Sequence, residues 1–423
     1  MAKSLYICYF GVREPLVQTQ VIPYLRELLK GEYFTAETRR GGGGKLEISL
    51  LTFEPDLSFD TDQIRSELAA EGIDWHWLKY HKRFSVAATA WDIFQGARFV
   101  RRFIARENPD ILHGRVHVPT LMGAIARKFS RRKPKLLFDI RGFMPEEYTD
   151  AGVWPEGGLL YRTAKRVESW LLNEADAFVV LTEKAREILF PESAALDVDK
   201  LGRSVEVIPC CVDLRRFESG NGTRDAMRQR LGIEGRNVII YIGSFGGWYM
   251  TEEMLDLFEA ARAVDPTTFV LILTQRDKDK VAEKLRNRSF LQGDFFLDSV
   301  GPSEIPAYLE ASDVAVSFIK ACYSKLSSSP TKIAEYLAAG LPIIANSGVG
   351  DVDFLIESNK VGAIVRDFSE GSYLTALRQI REMKDVRSRC RDTAVSEFDL
   401  ETSGGTKYRL LYNRILKDDV KKN

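Results

Sequence analysis

The sequence predicts an α/β protein built as two doubly wound, Rossmann-like domains facing each other across a cleft. Three observations carry this expectation. At 423 residues the chain is longer than one hydrophobic core usually serves, so two domains are the natural reading. Short β-branched or aromatic runs alternate with longer helical patterns, and strands spaced by helices form parallel sheets covered on both faces. The alternation comes as two series, joined near Val205–Phe217.

In the first series, strands are expected at Leu5–Phe10, Leu46–Phe53, Ile73–Trp77, Ile111–His113, Leu136–Ile140 and Ala177–Leu181. One helix is expected over Val17–Leu29, with Val21, Leu25 and Leu28 apolar at helical spacing. The second series places strands at Val238–Ile242, Phe269–Thr274, Val314–Phe318, Pro342–Ala345 and Ala363–Val365. A closing helix over Thr406–Leu416 presents Tyr408, Leu411 and Ile415 as a packing face. The domains are therefore expected at residues 1–213 and 214–399, with a C-terminal helix of about residues 400–423 packing back on the first. Ligands of such sheets lie beyond the carboxyl ends of the strands, which makes the cleft the expected site.

Composition narrows the function classes. Lys+Arg and Asp+Glu balance at 60 each, which argues against a nucleic-acid binder driven by bulk charge. No apolar run approaches the roughly 20 residues that span a bilayer. Met1-Ala2-Lys3-Ser4 runs straight into a strand, without signal-peptide architecture. Cys8, Cys210, Cys211, Cys322 and Cys390 form neither a disulfide framework nor a zinc pattern. A reduced, cytoplasmic, enzyme-sized protein is the expectation.

The segment from Ser327 to Asp351 carries the chemistry. Ser329 is expected to cap a helix whose first position is Pro330, with Gly340 and Pro342 marking its stop. Ile333, Tyr336 and Leu337 share a core-facing stripe, while Lys332 and Glu335, three apart, share another face. A helix start offers unpaired N–H groups and a positive dipole end, both suited to a diphosphate. Lys332 adds a full charge in that first turn, and one turn deeper Glu335 can accept hydrogen bonds from ribose hydroxyls. A capped surface helix with a Lys–Glu ion pair has the same spacing, so spacing alone leaves both readings open.

The same stretch resembles the donor-site signature of retaining glycosyltransferase family 4, whose fold is GT-B. That signature is a glutamate, seven residues, a second glutamate, and a small-residue helix ending in Gly-x-Pro. Glu335 matches the second glutamate and Ser327 stands at the first; the Ser-Pro-Thr-Lys of 329–332 is similar to one subset of the family. Further resemblances run in order along the chain: Pro109–His113, Phe138–Gly142, Val207–Phe217, Tyr241–Gly247, Ser299–Leu309 and Ala311–Asp313. Departures occur too. Trp248–Glu253 carries no basic residue where the family usually has two, and Arg141-Gly142 replaces a common His-Gly.

The resemblance implies transfer of a sugar from a nucleotide-diphosphate donor, with retained configuration, to a glycan or lipid-linked acceptor in surface polysaccharide or lipopolysaccharide synthesis. It implies a nucleotide-sugar site from Gly11, Gly243, Ser244, Gly246, Arg276, Ser299, Val300, Ser327, Ser329, Thr331, Lys332 and Glu335. Lys332, Arg141, Asp139 and His113 are the candidate catalytic residues. An arginine stays protonated, so Arg141 can stabilise negative charge but not act as a base. No cofactor is expected, and metal independence follows because none of the strings Asp197–Asp199, Asp277–Asp279 and Asp351–Asp353 ends a strand in a suitable context. A sugar-nucleotide epimerase on the same fold and a non-catalytic nucleotide-sugar binder are the alternative readings.

Two other features have milder readings. Gly41–Gly44 with Lys45 lacks the Ser/Thr of a phosphate loop and precedes a strand, which suggests a turn. Arg98–Lys135 is strongly basic, and Phe94, Phe99 and Phe103 could line the apolar side of an amphipathic helix. Peripheral contact with anionic lipid is one reading; solvated helices with core phenylalanines are the other.

Overall fold

The computed structural model describes residues 1–34, 43–81, 85–218 and 223–418. The chain divides into two compact units, Met1–Pro209 with Leu400–Asn423, and Cys210–Asp399. The second unit is thus an insertion in the sequence of the first.

The first unit holds β1 (Ala2–Ile7), β2 (Leu46–Glu54), β3 (Ile73–Lys79), β4 (Ile111–Arg115), β5 (Lys135–Ile140), β6 (Ala177–Val180) and β7 (Val205–Val207). They form one parallel sheet in the order β3-β2-β1-β4-β5-β6-β7. The order reverses between β1 and β4, where Tyr6 lies opposite His113. Strand β5 is buried along its whole length, as a central strand covered on both faces must be.

The second unit holds β8 (Asn237–Ile242), β9 (Thr268–Leu273), β10 (Phe295–Asp298), β11 (Val314–Ser317), β12 (Ile343–Asn346) and β13 (Gly362–Val365). These too are all parallel, in the order β10-β9-β8-β11-β12-β13, with the reversal between β8 and β11. Alternate residues feed two cores: Val238 and Ile240 pack on one face, Ile239 and Tyr241 on the other. Both doubly wound units of the expected GT-B fold are therefore present.

Every strand expected from the sequence is observed, with ends shifted by a few residues. The single helix expected over Val17–Leu29 is instead two, Pro15–Gln20 and Ile22–Leu29, broken at Val21. Pro23 sits in the first turn of the second helix, where a missing N–H is harmless, but it cannot continue the first. The closing helix spans Thr406–Asp418, and Tyr408, Leu411 and Ile415 are buried as expected. Gly41 and Gly42 lie outside the described residues, whereas Gly44 pairs with Tyr33 in an antiparallel bridge.

On the helix Ser85–Glu107, Phe103 is core and Phe99 stacks on it, both against His76, while Phe94 is exposed beside Trp91. No helix among the described residues is long and apolar enough to cross a membrane.

Candidate functional site

Because all strands of the second unit run the same way, the loops after β8, β9, β10, β11 and β12 emerge on one edge. That edge collects Gly243, Ser244 and Gly246 after β8, Arg276 after β9, Ser299 and Val300 after β10, and Ser327 to Glu335 after β11. Arg276 and Ser299 are exposed and Val300 is half-buried; the Val300 carbonyl accepts from Gln275 Nε2 at 3.1 Å. Thus the sequence-predicted donor residues of this unit share one rim.

The helix carrying Lys332 spans Thr331–Ala338, and its cap is Pro330, not Ser329 as expected. Ser329 Oγ instead accepts the Cys210 amide at 3.1 Å, so no side chain caps the first turn. Ser327 is buried, and its hydroxyl donates to the Ser324 carbonyl at 2.7 Å, turned into its own loop. Tyr336 fastens the helix at the sheet reversal: its hydroxyl accepts the Ile242 amide at 3.0 Å and donates to the Val316 carbonyl at 3.3 Å.

Lys332 is buried at 9% exposure, and no carboxylate among the described residues is ion-paired with it. Its Nζ lies over two aromatic faces, 4.4 Å from the centroid of Tyr241 and 4.1 Å from that of Tyr249. Burial pushes its pKa down to about 7, against an upward pull from Glu335. Glu335 is itself shifted upward by burial, opposed by Arg216, whose Nη1 stands 3.8 Å from Oε1, and by Lys332. A buried ammonium without an ion-paired carboxylate is costly, and a bound anion would offset that cost.

In the first unit, Arg141 follows β5 and lines a cavity of about 510 Å³ with Gly11, Glu14, Tyr80, His117 and Tyr148 among its walls. Gly11 is required by close approach: a Cβ there would stand 2.7 Å from Glu54 Oε2, whose carboxylate accepts the Val12 amide at 2.8 Å. His113 and Asp139, expected as cleft residues, instead lie under the surface at 1% and 0% exposure and do not line the cavity. Strand β5 is covered on both faces, which leaves Asp139 no path to solvent.

Asp139 is the centre of a buried charge network. Its Oδ2 accepts from Tyr408 Oη at 3.1 Å and lies 3.5 Å from His113 Nε2 and 3.7 Å from Arg115; Arg141 Nη1 is 3.7 Å from Oδ1. Burial alone would raise this carboxyl, but Arg141, His113 and Arg115 outweigh it and hold it at about 2. Burial lowers the His113 pKa, which favours a neutral ring paired at Nδ1 with Tyr412 Oη at 2.9 Å.

Among the described residues, no group of three His, Cys, Asp or Glu side chains is arranged to hold a metal ion.

Residues 36–194 match the glycosyl transferase 4-like domain, and residues 223–396 match glycosyl transferases group 1. The chain belongs to this glycosyltransferase family. Spore coat protein SA of Bacillus subtilis strain 168 is 24% identical over 196 residues, 42% of this chain and 49% of that protein, so the match spans about half of its length. Among solved structures, HepE of Anabaena in complex with UDP and glucose is 15% identical, with a TM-score of 0.63 and full coverage of both chains. WaaG, a glycosyltransferase involved in lipopolysaccharide biosynthesis, is 15% identical with a TM-score of 0.60, covering 96% of this chain and 99% of its own. At such identity these two structures speak for the fold.

Within this chain, sequence reasoning missed Tyr241, Tyr249 and Arg216 at the Lys332 site, and His117 at the cavity, where its Nε2 meets Glu168 Oε2 at 2.9 Å. Signals for three of them existed: Tyr241 opens the matched segment Tyr241–Gly247. Arg216 lies in the matched segment Val207–Phe217, and Tyr249 lies in the stretch noted for its lack of bases.

Proposed function

We propose that this protein transfers a sugar from a nucleoside-diphosphate donor to a glycan or lipid-linked acceptor, with retained anomeric configuration, in surface polysaccharide or lipopolysaccharide assembly. The observation that carries the donor assignment is Lys332: a buried ammonium, unaccompanied by an ion-paired carboxylate among the described residues, in the first turn of an uncapped helix. Diphosphate oxygens would supply the missing negative charge, with Glu335 one turn deeper to receive the ribose hydroxyls. HepE, a structural neighbour, was solved with UDP, which puts UDP first among the nucleotides to try.

In the chemistry that fits this site, the bond from the anomeric carbon to the diphosphate oxygen breaks while the acceptor hydroxyl attacks on the same face. The hydroxyl proton passes to the departing diphosphate oxygen, and no protein nucleophile is needed. The protein's part is to stabilise charge growing on the leaving group, for which Lys332 and the Thr331 helix start are placed. The acceptor is assigned to the cavity beside Arg141 in the first unit. The proposal includes no metal or cofactor.

Thermal shift with UDP, GDP, ADP and their sugars, with and without chelator, tests the donor site. One nucleotide should stabilise strongly whether or not chelator is present, in proportion to the logarithm of its concentration over its Kd. No stabilisation by any of them would sink the assignment. Slow nucleoside-diphosphate release with water as acceptor separates a transferase from a mere binder.

Peripheral membrane contact through Arg98–Lys135 is part of the proposal, supported by Trp91 and Phe94, exposed with rings 5.6 Å apart and followed on the same helix by exposed Arg98, Arg101 and Arg102. Salt-insensitive absence from anionic vesicles in flotation would remove it.

A further inference from the structure

The stretch Trp248–Glu253 carries no basic residue, yet it is pinned into the donor rim. The Tyr249 amide donates to the Gly246 carbonyl at 3.0 Å, and Tyr249 bridges to Ile319 in the loop after β11. Its ring meets that of Tyr241 edge-on, with centroids 6.4 Å apart and planes at 70°. Lys332 Nζ lies over both faces and is 3.4 Å from Tyr241 Oη. The Tyr241 hydroxyl proton is committed to the Ser244 carbonyl at 2.5 Å, so the side of its oxygen that faces the ammonium is a lone pair.

We propose that Tyr241 and Tyr249 are positioning residues: their ring faces hold the Lys332 ammonium at the donor rim in place of a carboxylate, which keeps that charge available to the incoming diphosphate. The inference rests on the nucleotide-diphosphate reading above. A carboxylate partner would hold a lysine equally well but would have to be displaced by, and would repel, the diphosphate. An aromatic face attracts a cation through its quadrupole without bringing an anion. Burial pushes both phenol pKa values up, so neither ring becomes an anion at neutral pH. The remaining charged groups that act on Lys332 are few: Glu335 on its own helix, itself faced by Arg216. The segment without bases thus acts through Tyr249.

The ring faces favour the protonated amine, so their loss is felt most where the proton is scarce. Calorimetric titration of the full chain with UDP, GDP and ADP at about pH 6 and about pH 8.5 reads this, comparing wild type with Tyr249→Phe and Tyr249→Leu. The ratio of variant to wild type cancels the nucleotide's own titration. Tyr249→Phe, which keeps the face, should stay within about twofold of wild type, whereas Tyr249→Leu should bind about tenfold more weakly at the higher pH and lose much less at the lower. Equal losses for Phe and Leu, an equal Leu loss at both pH values, or no Leu loss would each overturn the proposal. Tyr249→Met carries the same comparison if Tyr249→Leu does not fold. If the wild type binds none of the three nucleotides at either pH, the donor-site reading itself fails and this inference falls with it.

Discussion

A Cβ built on Gly243 would stand 2.8 Å from Lys332 Nζ, on a backbone whose φ is +142°. The glycine turn and the buried lysine, 89 residues apart by their numbers, are therefore one steric unit. Gly243→Ala should destabilise the protein by about 1–3 kcal/mol through the strained φ, and should weaken nucleotide binding by moving the ammonium. Chemical denaturation reads the first effect and calorimetric titration the second.

Glu335→Ala should weaken nucleotide binding by roughly 1–3 kcal/mol through loss of charged hydrogen bonds to the ribose. An unchanged donor affinity in a calorimetric titration would remove Glu335 from the site.

Asp139 is held at about 2 in the folded protein, below its ordinary 3.8. A depressed carboxyl stabilises the fold above the unfolded-state value, and that stability disappears as pH falls through the folded one. The shift corresponds to roughly 2 kcal/mol lost between about pH 4 and pH 2. Asp139→Asn should flatten this acid limb in urea titrations across pH. At neutral pH it should cost about 3–5 kcal/mol, because two buried guanidiniums lose their shared carboxylate.

Val116 adopts φ 62° and ψ −177° at the start of the helix His117–Lys128, a conformation essentially reserved for glycine. Its amide donates to the Asp139 carbonyl at 2.9 Å, so the strained residue joins β4 to β5 at the cavity wall. Val116→Gly should raise stability by about 1 kcal/mol, the strain relieved exceeding the entropy that glycine adds to the unfolded chain. A lower melting temperature for this variant would show that the valine side chain is worth more than its strain.

Much of the fold was legible because parallel strands buried on both faces leave apolar runs that need no context. The exceptions are instructive. Strand β7 has only three residues, and β10 is half-buried along its length and ends in Asp298, so neither makes such a run. Lys332 and Glu335 were legible because their spacing on one helix places them together. Their surroundings were not: Tyr241 and Arg216 come from other elements, and nothing local brings them to Lys332. The misreading of His113 and Asp139 has the same origin. Position at a strand end suggested a cleft, but the Tyr412 and Tyr408 hydroxyls that meet them lie 299 and 269 residues further along the chain.

Those two tyrosines set an order on how the molecule is made. Tyr408 and Tyr412 belong to the helix Thr406–Asp418, so during synthesis β4 and β5 are complete long before the hydroxyls that meet His113 and Asp139 exist. The inserted unit, Cys210–Asp399, is contiguous and can close while the ribosome is still adding the segment from Leu400 onward. The first unit thus begins before the inserted one and is completed after it, and its buried charges wait for the helix Thr406–Asp418.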